Sequence, residues 1–164
     1  MTLDHWLARL ALDDVPSEEL PGLALQALTE GFESASLAVL AGSLLRERSA
    51  ADLRELLDRG LREIHKVLPD RVAAARTLEH YYATQVATGA LAPRLGAARI
   101  VDLTTTLSDV LPDREYAGDG LGVARLLGIY YSHDDVREDD DAAHAELDAE
   151  LLKECRRLAA DGTG

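Results

Sequence analysis

Aromatic residues are scarce in this chain: one tryptophan, one phenylalanine and five tyrosines make up 4% of its 164 residues. The chain is long enough to bury a sizeable core. With 47% hydrophobic residues but few rings, Leu, Ala and Val must fill that core. Leu and Ala favour helix, and the small Ala side chain lets helices approach closely. Cysteine is nearly absent. Cys155 stands alone, which excludes an internal disulfide and fits a reducing compartment. No run approaches the ~20 consecutive apolar residues of a membrane-crossing helix. The start, MTLDHWLARL, has no basic leader region and no long apolar stretch, so it does not read as a signal peptide. A cytoplasmic protein is expected.

Positive charge is the next scarcity. Lysine occurs only at Lys66 and Lys153, and 17 basic residues face 30 acidic ones, for a net charge of −13 and a pI near 4.7. Nucleic acid needs a basic surface that displaces counterions, and an anionic membrane needs the same, so neither is an expected partner. A basic protein is. The many Arg and Ala residues beside so little Lys resemble the codon usage of a GC-rich bacterial genome. Catalytic signatures are missing too: no G-x-S-x-G, phosphate-binding loop, dinucleotide fingerprint or H-E-x-x-H occurs. No cofactor is implied, and the reading leans against an enzyme.

What is present is helical periodicity. The stretch 69–110 reads as a hairpin of two helices broken at Gly89. Val72, Ala75, Leu78, Tyr82 and Val86 recur three or four residues apart, as do Ile100, Leu103, Leu107 and Val110. Upstream, Thr2 caps a short helix carrying Leu3, Trp6, Leu7 and Leu10. A linker, DDVPSEELPG, follows, with Pro21 suited to the first turn of the next helix. That helix buries Leu20, Ala24, Ala27 and Leu28 and ends at Gly31. Ser34 caps a third helix with Leu37 and Leu40, closing near Gly42. Ser49 and Asp52 form a capping-box start for a fourth, with Leu53, Leu56, Leu57, Leu61 and Ile64 inside. The two short helices around GFES resemble a helix-turn-helix in spacing, but SASLAVLAG offers no Arg, Lys, Asn or Gln to bases or phosphates.

After the hairpin, LPDREYAGDGLG reads as a loop of functional length, centred on 113–122. A helix over LGVARLLGIYY, an acidic junction at 132–145 and a last helix from about Asp141 to Ala160 complete the chain, with a frayed tail at 161–164. The last helix carries Leu147, Leu151, Cys155 and Leu158 as its apolar stripe, where Cys155 is expected to be a buried, inert thiol. The whole predicts an all-α fold: a single compact domain over 1–164, a bundle of about seven or eight helices around the central hairpin.

The candidate sites lie in the second half. Residues 132–154 hold ten acids against Arg137 and Lys153. Three readings compete there. Asp139 to Asp141 supply the negative charge a helix N-terminus favours. Asp134, Asp135, Glu138, Asp139, Asp140 and Asp141 form a docking face for a basic partner. His133 and His144, flanking the densest part, are candidate ligands for a divalent transition metal, though no EF-hand spacing is present. On the first hairpin helix, a turn of about 100° per residue puts Glu79 at the edge of the apolar arc and His80 outside it. Glu79 is the candidate acid or base; a structural pairing with a tyrosine or arginine is the competing reading. The doublets Tyr81-Tyr82 and Tyr130-Tyr131, each beside a histidine, are read as packing, since helical neighbours diverge too far to share a pocket.

The segment 20–42, LPGLALQALTEGFESASLAVLAG, and the segment ATGALAPRLGAARI over 87–100 resemble small, uncharacterised all-helical proteins of high-GC bacteria. The shared features are the Gly-x-x-Ser turn, the Leu-Ala-Gly ending and a Gly-x-x-x-Pro element before a helix. They cover under a quarter of the chain and imply a helical fold without an activity. The functional expectation is an acidic binding protein that engages a basic protein in a neutralising (immunity-like) or regulatory role. A small helical enzyme or metal-binding protein with a Glu/His centre, and a helical subunit of a larger or homo-oligomeric assembly, are the alternatives.

Overall fold

The computed structural model describes residues 1–43, 48–107 and 120–161. The hairpin's last residues 108–110, the loop residues 113–119 and the tail 162–164 lie outside the described residues. Within them the chain is all-helical: eight α-helices and two short 3-10 turns, with no strand. The contacts gather into two compact units, residues 1–74 and 75–164.

The first unit contains α1 (Leu3–Ala11), a 3-10 turn (Ser17–Glu19), α2 (Leu20–Thr29), α3 (Ala35–Ala41) and α4 (Ala50–Glu63). Their ends follow from local chemistry. Pro21 sits in the first turn of α2, where a missing N–H costs nothing. Gly31, at φ +90°, takes the left-handed conformation that ends α2, and the Phe32 N–H reaches back to the Ala27 carbonyl at 3.1 Å. Ser34 Oγ accepts the Leu37 N–H at 3.0 Å and starts α3. Ser49 and Asp52 cap α4 reciprocally. α2 packs on α3 and α4, α3 packs on α4, and α1 lies against α2. Leu3, Leu7, Leu20, Leu23, Leu37, Leu40, Leu53 and Leu57 form the core, each fully buried leucine contributing roughly 1.5–3 kcal/mol.

The second unit is built on the hairpin: α5 (Arg71–Ala87, entering this unit from Ala75) and α6 (Pro93–Leu107), followed by α7 (Ala124–Ser132), a 3-10 turn (His133–Asp135) and α8 (Asp141–Asp161). The break between α5 and α6 is at Gly89, φ +76°. A side chain at Gly96 would run into Val86, so the two helices meet at that glycine. α6 packs on α7 and α8, and α7 on α8. Leu78, Val86, Ile100, Leu107, Leu126, Leu151 and Cys155 are buried together in this unit. Leu147, expected in the α8 stripe, is only half-buried. α5 starts two residues after Pro69 because the Asp70 carboxylate accepts the Ala73 N–H at 2.8 Å.

Candidate functional site

The acidic segment spans the end of α7, the 3-10 turn and the first half of α8. Asp134, Asp135, Glu138, Asp139, Asp140 and Asp141 are all exposed, as are Glu146 and Glu150 further along α8. Capping explains part of the charge. Asp140 accepts the Ala143 N–H on its side chain at 3.1 Å and the His144 N–H on its carbonyl, so it opens α8. Two acids have cationic neighbours: Asp139 pairs with Arg137 at 3.1 Å, and Asp134 lies 3.8 Å from Arg94 of α6. Among the described residues, Asp135, Glu138, Asp141, Glu146 and Glu150 make no ion pair.

His133 and His144 come together at the two ends of this segment. Their Nδ1 atoms are 3.2 Å apart, the ring centres are 5.5 Å apart and the planes differ by 10°. The centre-to-centre separation is the Nδ1–Nδ1 distance plus the reach of each nitrogen from its own ring centre. The two nitrogens therefore face each other along one line, as in an N–H···N hydrogen bond. A metal ion between collinear lone pairs would need the nitrogens about 4 Å apart. Among the described residues no three His, Cys, Asp or Glu side chains are grouped to hold a metal.

His133 is 3% exposed, and its Nε2 faces Asp148 Oδ1 at 3.5 Å, longer than a formed hydrogen bond but close enough for the charge to matter. That carboxylate favours a proton on His133 Nε2, which leaves His133 Nδ1 as acceptor and His144 Nδ1 as donor. Burial pushes the His133 imidazole below the usual histidine range. Arg94 and His144 push the same way; Asp148 and Asp134 oppose them. Asp148 was not singled out from the sequence, although its place four residues after His144 puts both on one face of α8.

Glu79 belongs to a second cluster. It is 8% exposed, and its Oε1 has no hydrogen-bond partner among the described residues. Burial pushes its carboxyl up to about 7; Arg157 and Arg76 oppose the shift and Asp161 adds to it. The neighbouring arginines are engaged elsewhere. Arg157 donates to Glu154 Oε1 through Nε at 2.8 Å and Nη2 at 2.7 Å, to Asp161 at 2.6 Å and to the Gly122 carbonyl at 3.1 Å. Arg76 donates to the Gly120 carbonyl at 3.1 Å. Glu154, 3% exposed, thus receives the hydrogen bonds that Glu79 lacks. The Cys155 thiol is buried, and burial beside Glu154 and Glu79 raises it to about 11, which makes it a poor nucleophile.

No hydrogen bond or ion pair among the described residues joins Glu79 to His133 or His144. The Glu/His centre considered from the sequence is two clusters. An open groove of about 340 Å³ lies at the α5–α6 turn, lined by Val86, Leu91, Pro93, Leu152 and Arg156 among others; no sequence candidate lies in it. Compared with family models, curated proteins and solved structures, the chain matches none.

Proposed function

We propose that this chain is a binding protein that engages a basic protein partner through the exposed acids of 134–150, in a neutralising or regulatory role. One observation carries the reading. Asp134, Asp135, Glu138, Asp139, Asp141, Glu146 and Glu150 are all exposed, and among the described residues only Arg94 and Arg137 form ion pairs with any of them. A surface of one sign steers an oppositely charged partner and sets its register. Capping accounts for Asp140, and ion pairs engage Asp139 and Asp134; among the described residues Asp135, Glu138, Glu146 and Glu150 make no ion pair.

The test is a comparison of two baits in native-host extract: the full chain, and a variant carrying Asp135→Asn, Glu138→Gln, Asp139→Asn and Asp141→Asn. The expected result is a basic protein retained by the first and lost from the second. Equal retention by both overturns the proposal.

A second reading, an acid–base role for Glu79, draws on its buried Oε1 and raised protonation range. It requires a reaction whose pH profile changes with Glu79→Gln, and a profile unchanged by that substitution removes it.

A further inference from the structure

The His133–His144 contact closes the acidic segment on itself. His133 stands in the 3-10 turn after α7, His144 in the first turns of α8, and the densest acids lie between them. Among the described residues, few other bonds hold the intervening chain: a turn from the Asp140 N–H to the Arg137 carbonyl at 3.0 Å, the Asp140 cap and the Arg137–Asp139 pair, which are local, and the Asp134–Arg94 contact to α6 at 3.8 Å. Among the described residues the histidine pair is the side-chain hydrogen bond that joins the two ends, beside the longer His133–Asp148 contact at 3.5 Å.

We propose that this pair is a proton-sensitive clasp: it holds the two ends of the acidic segment together while His133 is neutral, and releases them when His133 takes a proton on Nδ1 opposite a protonated His144. The bond uses one proton between the two Nδ1 atoms. A proton added to His144 at its other nitrogen leaves the bond in place. A proton added to His133 must go to Nδ1, because Asp148 already favours one on Nε2. With His144 protonated as well, both facing nitrogens are donors, two cations stand in contact, and the bond cannot form.

The charged groups around His133 set the balance. Arg94 of α6 and His144 of α8 oppose its protonation; Asp148 of α8 and Asp134 of its own turn favour it, and burial opposes it. The lowered imidazole range gives the sign. Folding favours neutral His133, so the clasp contributes fully above the ordinary value of about 6.5 and is lost as pH falls from there through the folded value. Release frees the segment that presents Asp135, Glu138, Asp139 and Asp141. This regulation rests on the docking reading for its purpose, but the release itself is a property of the chain alone.

The experiment uses the isolated full chain. Amide hydrogen exchange over 134–143, corrected for intrinsic rates, is measured between pH 7.5 and pH 5.0. Protection in the segment is expected to fall about tenfold or more over that range, while the α6 core keeps its own. In His144→Ala, protection is expected to be low at both ends of the range. Arg94 is exposed, so Arg94→Gln leaves the core intact, and removing its charge is expected to move the midpoint to higher pH. Protection that is the same at both pH values in the parent chain overturns the proposal. So does an undiminished pH response in His144→Ala, or a midpoint that stays put or falls in Arg94→Gln. Loss of partner binding on neutralising the acids, or its persistence, is a separate result that speaks only to the docking reading.

Discussion

Glu79 shows how one buried carboxylate is decided by its neighbours. Arg157 and Arg76 both lie near it, but their hydrogen bonds go to Glu154, Asp161 and the carbonyls of Gly122 and Gly120. Burial then dominates, and the carboxyl stays protonated up to about 7 against an ordinary 4.5. The sign follows. The folded chain keeps a proton that the unfolded chain gives up, so stability falls as pH rises from 4.5 to about 7 and is level above that. A shift of this size corresponds to roughly 3 kcal/mol. Glu79→Gln should therefore match the parent chain at pH 4 and exceed it by about that amount at pH 8, as read by urea unfolding. A less stable variant at pH 8 would show that Glu79 is charged and paired. The sequence placed Glu79 at the edge of the apolar arc through its spacing from Val72 and Val86. It was silent on Arg157 and Glu154, because both come from a helix some 75 residues away, and periodicity within one helix carries no information about the facing one.

At the scale of elements, starts and stops were the most legible feature. Ser34, Ser49 with Asp52, Gly31 and Gly89 act where their backbone chemistry places them. The tie between α3 and α4 was not legible. Glu63, near the end of α4, accepts from Ser34 Oγ and Ser36 Oγ at 2.6 Å each and from the Ser36 N–H at 3.1 Å. These bonds hold its carboxyl down at about 2. The contribution is complete above the ordinary 4.5 and is lost as pH falls toward 2, so Glu63→Gln should lower the melting temperature at pH 7 and matter progressively less below pH 4.5. The same pair of helices meets at Gly60, where an added Cβ would lie 2.5 Å from Leu37 Cδ2 and 2.6 Å from Cγ. Alanine in a helix interior usually stabilises by roughly 0.5–1 kcal/mol relative to glycine. Leu37 is fully buried and its Cγ as well as its Cδ2 would have to shift, so overpacking of about 1–3 kcal/mol should win. Thermal unfolding of Gly60→Ala checks the sign; a more stable variant would show that Leu37 can move.

For the molecule as a whole, the all-helical class followed from composition and periodicity, since Leu and Ala at helical spacing leave little else. Contacts between distant helices, which gather the chain into residues 1–74 and 75–164, left no mark in the local pattern. The charge distribution was legible directly: ten acids over 132–154 stand against Arg137 and Lys153, and most of them are exposed. Which of them carry structural duties was not. Asp140 caps α8, Asp148 faces His133, Glu154 is held by Arg157, and Asp134 and Asp139 lie against Arg94 and Arg137.

Electrostatic docking between exposed charges weakens with salt, because the screening length shortens from about 10 Å at 0.1 M to about 3 Å at 1 M. The most direct test is the Kd of the captured partner measured at several salt concentrations, for the parent chain and for the variant neutralised at Asp135, Glu138, Asp139 and Asp141. The docking account predicts an affinity that falls steeply with salt for the parent chain, and a weaker affinity with a shallower salt dependence for the variant. The same affinity and the same salt dependence in both would contradict it.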